Sequence, residues 1–373
     1  MRTKRLLHQL RSVSTVLLIA FLLCAGFTRG QSEEAIKPNN HESNLKIVQR
    51  LFRKDYLQAI AWSSDGSKIA ALTNFGSLIT IWDTHTWRKL REISQYGGTY
   101  AGDSLAWTRD GMVIASAGAK VPEDGIYSLN LWNPNTGELV KRILGPPVPE
   151  GAWKHNQASK FVLSNDRSLL AMTFLHVSNQ LVVFDTNDWT IKRVLELPVP
   201  SSAQMGSARS FAFSSTNDVV AIANSRDIQT INLQDGSVVF SVLAYEQSKP
   251  HVGPIVVSLA YNPDGNLIAG VPTFFPATPD DTGPVRIWNA ANGELVAKLP
   301  TGDGSFRMIS WSPDGAKLAA AGADGIVRLL QIKPDVGKSR VIFQFGDALA
   351  GVVAFSPGGT LAAGGQTSVM IIK

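Results

Sequence analysis

The stretch Met308-Ile-Ser-Trp-Ser-Pro-Asp-Gly315, followed by Lys317-Leu-Ala-Ala-Ala321, decides the reading of this chain. A short apolar run ends in an aromatic. A Pro-Asp-Gly turn follows, in which Gly supplies positive φ and Asp bonds the nearby backbone. A second apolar run then returns, so the segment predicts a β-hairpin. Copies stand at Ala59-Ile-Ala-Trp-Ser-Ser-Asp-Gly66, Ser104-Leu-Ala-Trp-Thr-Arg-Asp-Gly111 and Lys160-Phe-Val-Leu-Ser-Asn-Asp-Arg167. Three more stand at Ser210-Phe-Ala-Phe-Ser-Ser-Thr-Asn217, Ser258-Leu-Ala-Tyr-Asn-Pro-Asp-Gly265 and Val352-Val-Ala-Phe-Ser-Pro-Gly-Gly359, which makes seven.

Working outward, a third run often ends in Trp: Ile79-Thr-Ile-Trp-Asp83, Leu129-Asn-Leu-Trp-Asn133 and Val285-Arg-Ile-Trp-Asn289. A turn such as Asn133-Pro-Asn-Thr-Gly137 leads to a fourth, Glu138-Leu-Val-Lys-Arg-Ile143. Four short strands per unit, repeated seven times, predict an all-β, seven-bladed β-propeller with four-stranded antiparallel blades. The units resemble WD40 repeats over residues 45–373, on the Trp-Asp or Trp-Asn dipeptides at 82–83, 132–133 and 288–289. Phe184-Asp185 is a softened copy. The Gly-His dipeptide of that family is missing from every unit. The Trp-Ser-Pro-Asp-Gly start is similar to TolB-type and YVTN-like bacterial propellers as well. The WD40 resemblance implies a scaffold role and names no partner.

The seventh unit ends after three strands, at Ser368-Val-Met-Ile-Ile-Lys373. An unassigned run, Leu45-Lys-Ile-Val-Gln-Arg-Leu-Phe52, matches the fourth-strand pattern of Leu139-Val-Lys-Arg-Ile-Leu144. The N-terminal strand is therefore expected to complete the last blade and close the ring, which removes an open edge.

The chain carries 35 Lys+Arg against 30 Asp+Glu, a net charge of +5. Arg2, Lys4, Arg5, Arg11 and Arg29 fall in the first thirty residues, which hold no acid; the remainder is balanced, 30 against 30. Residues 1–30 read as a secretory signal peptide, with a basic start, the apolar run Val16–Phe27 and small residues before Gln31. Residues 31–44 read as a flexible leader, and 45–373 as the propeller. The expected location is periplasmic or extracellular, with the apolar run too short for a span of about 20 residues. A neutral ring removes support for nucleic-acid binding and for adhesion to anionic lipid. The single cysteine, Cys24, lies in the signal, which excludes disulfides, thiol nucleophiles and Cys-ligated zinc from the mature part.

Alternating hairpins put the first-to-second and third-to-fourth turns on one face, and these are uniformly short. The long connections, Ala119–Gly125, Gly145–Ser159, Pro198–Ala208, Ala244–Pro254 and Val271–Pro284, all fall on the other. Long, proline-stiffened loops on a rigid frame are where binding concentrates. Eight of the nine tryptophans occupy repeat positions and read as packing between blades; Trp87 and Trp189 are expected to begin fourth strands. Trp153 alone is out of register, beside Lys154 and His155, and Phe274-Phe275 lie ahead of Asp280-Asp281 in another long loop. The channel mouth is lined by the residue two before each first-strand hydrophobe: Gln58, Asp103, Ser159, Arg209, Val257, Arg307 and Gly351. Arg209 and Arg307 there suit an anionic group.

No Gly-x-Ser-x-Gly, His-Glu-x-x-His, phosphate-loop or calcium-loop motif occurs. Histidines 41, 85, 155, 176 and 251 show no ligand spacing. The reading is thus an exported, non-enzymatic WD40-like propeller with no cofactor and no metal, binding a protein or peptide through its long-loop face. Its candidate contacts are Trp153, Lys154, His155, Arg209, His251, Phe274, Phe275, Asp280, Asp281 and Arg307. It would act as a monomeric propeller or a subunit of an envelope complex. The alternative is a lactonase-like or quinoprotein-like propeller enzyme with a site at the channel mouth.

Overall fold

The computed structural model describes residues 46–373 except the segments 53–56, 75, 96–103, 117–127, 145–157, 175–179, 198–209, 225, 246–254, 274–283, 300–305, 334–338, 346–350 and 366–367. The expected signal and leader, 1–30 and 31–44, lie outside the described residues. Among those described, no helix is long and apolar enough to cross a membrane.

Seven four-stranded antiparallel sheets form the blades. Blade 1 holds β2 (Leu57–Trp62), β3 (Lys68–Thr73), β4 (Leu78–Asp83) and β5 (Lys89–Ser94). Blade 2 holds β6 (Leu105–Trp107), β7 (Val113–Ser116), β8 (Ser128–Trp132) and β9 (Leu139–Leu144). Blade 3 holds β10 (Ala158–Leu163), β11 (Leu169–Phe174), β12 (Gln180–Asp185) and β13 (Ile191–Glu196). Blade 4 holds β14 (Ser210–Phe213), β15 (Val219–Asn224), β16 (Asp227–Asn232) and β17 (Val238–Leu243). Blade 5 holds β18 (Ile255–Tyr261), β19 (Leu267–Thr273), β20 (Val285–Asn289) and β21 (Leu295–Leu299). Blade 6 holds β22 (Phe306–Trp311), β23 (Lys317–Gly322), β24 (Ile326–Gln331) and β25 (Ser339–Gln344). Blade 7 holds β26 (Val352–Phe355), β27 (Leu361–Gly364), β28 (Ser368–Ile372) and, as its outermost strand, β1 (Ile47–Phe52).

The ring closes as the sequence predicts. β1 pairs antiparallel with β28, Leu51 opposite Val369, and Lys46 and Lys373 exchange backbone bonds of 2.7 and 3.0 Å. β2 then packs beside both β6 and β26, joining blade 1 to blades 2 and 7.

The repeated turn explains why each hairpin forms. The residue after the aromatic is a buried Ser, Thr or Asn: Ser63, Thr108, Ser164, Ser214, Asn262, Ser312 and Ser356. Its side-chain oxygen accepts the amide at the turn's far end, as from Lys68 (2.9 Å), Leu169 (2.9 Å), Leu267 (2.9 Å) and Lys317 (2.9 Å). Its hydroxyl donates to the turn Asp, as from Ser63 to Asp65 (2.6 Å). The Ser63 hydroxyl, then the Ser67 groups, hold the Asp65 carboxyl well below the usual carboxylate range. The Ser312 hydroxyl and Ala316 amide likewise lower the Asp314 carboxyl. The turn then needs positive φ. Gly66 and Gly315 supply it, and blades 3 and 4 place Arg167 (φ 60°) and Asn217 (φ 62°) there instead.

Second and third strands are buried on both faces, with Ile69, Leu72, Ile79 and Ile81 at 1% exposure or less. Blades are joined by backbone-directed side-chain bonds as well as apolar contact. The indoles of Trp62, Trp107 and Trp311 donate to the first-strand carbonyls of the preceding blades, Ala354 (3.0 Å), Ala61 (2.9 Å) and Ala260 (3.1 Å). Hydroxyls of Ser104, Ser210, Ser258 and Ser310 accept amides of the following blades. The packing role expected for Trp82, Trp132 and Trp288 holds, since all three are buried.

Trp87 and Trp189 are a correction. β5 begins at Lys89 and β13 at Ile191, so neither Trp starts a strand. Both sit in the preceding turn at φ 57° and 65°, where blades 2, 4 and 5 carry Gly137, Gly236 and Gly293. Each indole packs on an inter-blade core. Where Gly replaces it, a fourth-strand side chain of the preceding blade takes the space, such as Phe240 at Gly293.

Candidate functional site

Strand ends sort the connections onto two faces. The short 1–2 and 3–4 turns leave one end of every blade; the segments 117–127, 145–157, 198–209, 246–254 and 274–283 leave the other. The long-loop end begins with an irregularity in the first strand. β2, β10, β18 and β22 each shift register by one residue, leaving Gln58, Ser159, Val257 and Arg307 as the bulged positions. These belong to the set that the sequence assigned to the channel mouth; Asp103 and Arg209 lie outside the described residues. Bulges re-aim side chains and end pairing, and they are common beside binding sites. Arg307 is exposed at its bulge. The adjacent Phe306 is fully buried, with the Arg328 guanidinium 5.7 Å above its ring.

Beneath that end lies a polar layer between the blades. The Gln58 carbonyl accepts the Gly76 amide, and Gln95 donates to the Gly76 carbonyl (2.7 Å). The Gln95 oxygen then accepts from Trp132 (3.0 Å) and Asn130 (3.3 Å), tying the blade 1 turn to blade 2. In blade 6, Arg328 pairs with Asp324 at 2.6 Å, its side chain only 7% exposed. Between blades 4 and 5, the Arg286 guanidinium lies 4.4 Å over the buried Tyr245 ring and donates to the Ala244 carbonyl. The Tyr245 hydroxyl lies 3.1 Å from the Gly270 carbonyl and 3.0 Å from that of Pro284. Burial pushes that phenol far above the range in which it ionises, so it stays a donor.

Among the described residues, four buried side-chain atoms in this layer have no hydrogen-bond partner: Thr80 Oγ1, Asn130 Oδ1, Arg286 Nε and Arg328 Nη1. All four residues occupy one register of the third strand, two before Trp82, Trp132, Trp288 and Leu330. A buried unpaired polar atom costs about 1–3 kcal/mol, so four at one register make this a polar layer within an otherwise apolar interior.

Tyr245 and Arg286 bear directly on the sequence-derived contacts. Segment 246–254, which carries His251, starts at Tyr245; segment 274–283, which carries Phe274, Phe275, Asp280 and Asp281, runs between β19 and Pro284. The hydroxyl contacts of Tyr245 bring the roots of these two segments onto one buried platform. Those residues themselves, together with Trp153, Lys154, His155 and Arg209, lie outside the described residues. Arg307 is the only one of the ten that is described. The platform was missed in sequence, although Tyr245 directly after a fourth strand, opposite Arg286 in a third, was its available trace.

The other face carries a groove of about 460 Å³ bounded by Asn165, Tyr261, Asn262, Pro263, Ser310 and Trp311. Burial, and the Asp218 carboxylate, push the Tyr261 phenol above its usual range. Its walls include two of the repeated turns, whose carboxylates are already paired: Asp166 accepts from the Ser164 and Ser168 hydroxyls, and Asp264 pairs with Lys333 at 2.8 Å. Among the described residues no group of three or more His, Cys, Asp or Glu could hold a metal ion. Chemically, the described part of the long-loop end exposes the Arg307 side chain, whose cation suits carbonyl and anionic groups, while Tyr245, Arg328 and the glutamines are spent within the frame.

Comparisons with known proteins agree with this architecture. Residues 293–330, from the fifth blade's outer turn to β24, match the family model described as WD domain, G-beta repeat. No curated protein matches the chain. Among solved structures, the chain is similar to the beta-propeller domain of Myceliophteria thermophila Cps50 (Swd1), with a TM-score of 0.65 and 14% identity. That match covers 88% of this chain and 99% of the other, and at such identity it shows the fold alone.

Proposed function

We propose that the chain is an exported, non-enzymatic propeller that binds a protein or peptide partner through its long-loop face. Propellers built from WD40 repeats are generally protein-interaction scaffolds, and the repeat match at residues 293–330 places this one among similar architectures. The observation that carries the choice of face is the shared footing of two long segments on Tyr245 and Arg286, at the same end of the blades as the exposed Arg307 on its bulge. A rigid frame with preset loop roots lowers the ordering cost of binding. Trp153, Phe274 and Phe275 would supply aromatic anchors and Lys154, Arg209 and Arg307 the cations. His155, His251, Asp280 and Asp281 would supply polar rim contacts.

Crosslinking pull-down from the native envelope or culture fluid tests the reading. Trp153→Ala and Phe274→Ala are expected to lose the captured partner with an unchanged unfolding midpoint. Capture retained in both variants would overturn the choice of face. A turnover reaction, or a cofactor carried through purification, would overturn the non-enzymatic reading. Mass spectrometry of the exported protein should give a mature N-terminus at Gln31; an intact N-terminus would make the first thirty residues an anchor.

A further inference from the structure

Among the described residues, every large hydrophobic side chain that is exposed lies on an outermost strand, from Ile47 in β1 to Val341 in β25. Among the described residues an outermost strand pairs on one side only, so its other edge presents N–H and C=O groups to a second strand. Natural sheets guard such edges with charge, above all Lys. Six of these strands follow that rule, with Arg50 in β1, Arg91 in β5, Lys141 in β9, Lys192 in β13, Lys298 in β21 and Arg340 in β25. β17 breaks it. Its sequence, Val238-Val-Phe-Ser-Val-Leu243, has no charge and no Pro, and it is rich in β-branched and aromatic residues.

One face of the strand is held by the next blade. Phe240 and Val242 lean on blade 5 over Gly293, each closer than 3 Å to where a Cβ would stand there. That contact fixes one face of β17 and leaves Val239 (48%) and Leu243 (53%) exposed on the other.

We propose that blade 4 is a self-association edge: β17 of one copy pairs antiparallel with β17 of a second copy about a two-fold axis. Centred on Ser241, this register sets Val239 opposite Leu243 and Phe240 opposite Val242, so every pair except the central Ser–Ser pair is apolar. A two-fold contact uses the same strand from both copies and closes on itself. In the same centred register β9 would set Lys141 opposite Arg142 of the second copy, which is unfavourable, and the other outer strands would each carry a charge into the paired edge, whereas β17 carries none. Pairing at the outer rim leaves both faces of each ring uncovered, so the dimer would present two long-loop faces to a partner.

Sedimentation equilibrium of the full chain over a range of concentrations tests this. The expected result is a reversible monomer–dimer equilibrium. Val239→Lys should weaken it by roughly tenfold or more, because each substitution is felt twice across the axis. Val140→Lys on β9, equally exposed, should leave it unchanged. In a Cys24→Ser background, Ser241→Cys should form an intermolecular disulfide under mild oxidation and Val140→Cys should not. A chain that stays monomeric would overturn the proposal, as would association that survives Val239→Lys or is lost equally in Val140→Lys. A different protein's strand captured by monomeric chain at β17 would also overturn it and assign the edge to another occupant.

Discussion

Closure of the ring by β1 can be tested at one side chain. Leu51 is 5% exposed and lies in the core shared with Leu57, Trp62, Val369 and Ile371, across the junction of blades 7 and 1. Leu→Ala in a packed core costs about 2–5 kcal/mol, from lost transfer energy and the cavity left behind. A strand paired on one side only can relax inward, so the lower half of that range applies, about 2–3 kcal/mol. Ile47, in the same strand, is 42% exposed, and its truncation should stay within about 0.5 kcal/mol. At about 2 °C per kcal/mol for a domain of this size, Leu51→Ala should lower the unfolding midpoint by roughly 4–6 °C, and Ile47→Ala by about 1 °C or less. Amides of Val369–Ile372 should also exchange faster in Leu51→Ala, since their outer partners belong to β1. Equal midpoints for the two variants, or unchanged exchange in β28, would refute closure by this strand.

Other turns and junctions give equally direct tests. Gly265→Ala and Gly111→Ala both force a side chain to positive φ, at 75° and 82°. A Cβ at Gly265 would collide with the Ser215 side chain, while Gly111 has open space. Urea midpoints should therefore show about 1–2 kcal/mol lost at Gly111 and more at Gly265; equal losses would mean that the Ser215 turn yields freely. Trp311→Phe should cost about 1 kcal/mol or more by orphaning the Ala260 carbonyl, read from the same midpoints. Stability should fall on acidification below about pH 4, because Asp65 and Asp314 have folded pKa values below their unfolded ones. Their contribution is present above the unfolded value and disappears as pH drops through the folded one. Asp65→Asn should flatten that acid limb, and a steeper limb would contradict the assignment. Tyr245→Phe should lower stability by about 1–2 kcal/mol and raise amide exchange near Gly270, if the phenol holds the two loop roots together.

What was legible in the sequence was local. Ser63-Ser-Asp-Gly66 and its copies encode a turn within four residues, because the hydroxyl, the carboxylate and the positive φ all act on neighbouring backbone. Ring closure was legible too, since a missing fourth strand and a spare one carry the same pattern. Trp87 and Trp189 misled because a large aromatic next to a strand reads as part of it. Only the register shows that each occupies a left-handed turn position, filling a space that its neighbours leave to the preceding blade. The candidate site resisted for a related reason. Gln58, Ser159, Val257 and Arg307 could be aligned by counting, but no periodicity announces that the first strand bulges there. Tyr245 and Arg286 lie far apart in sequence and meet only after two blades pack.

Charge behaves the same way. Beyond the first thirty residues the chain is neutral, yet the neutrality is a sum over zones that differ. Most of the repeated turns spend their carboxylates on hydroxyls and amides at one end of the blade, while every outer strand except β17 contributes one or two cations. Neither trend is visible in any single repeat. Once the ring closes, these cations fall on outermost strands, where charge opposes further pairing, and among the described outer strands Val238–Leu243 stands out as the uncharged one, a contrast that its own six residues do not carry.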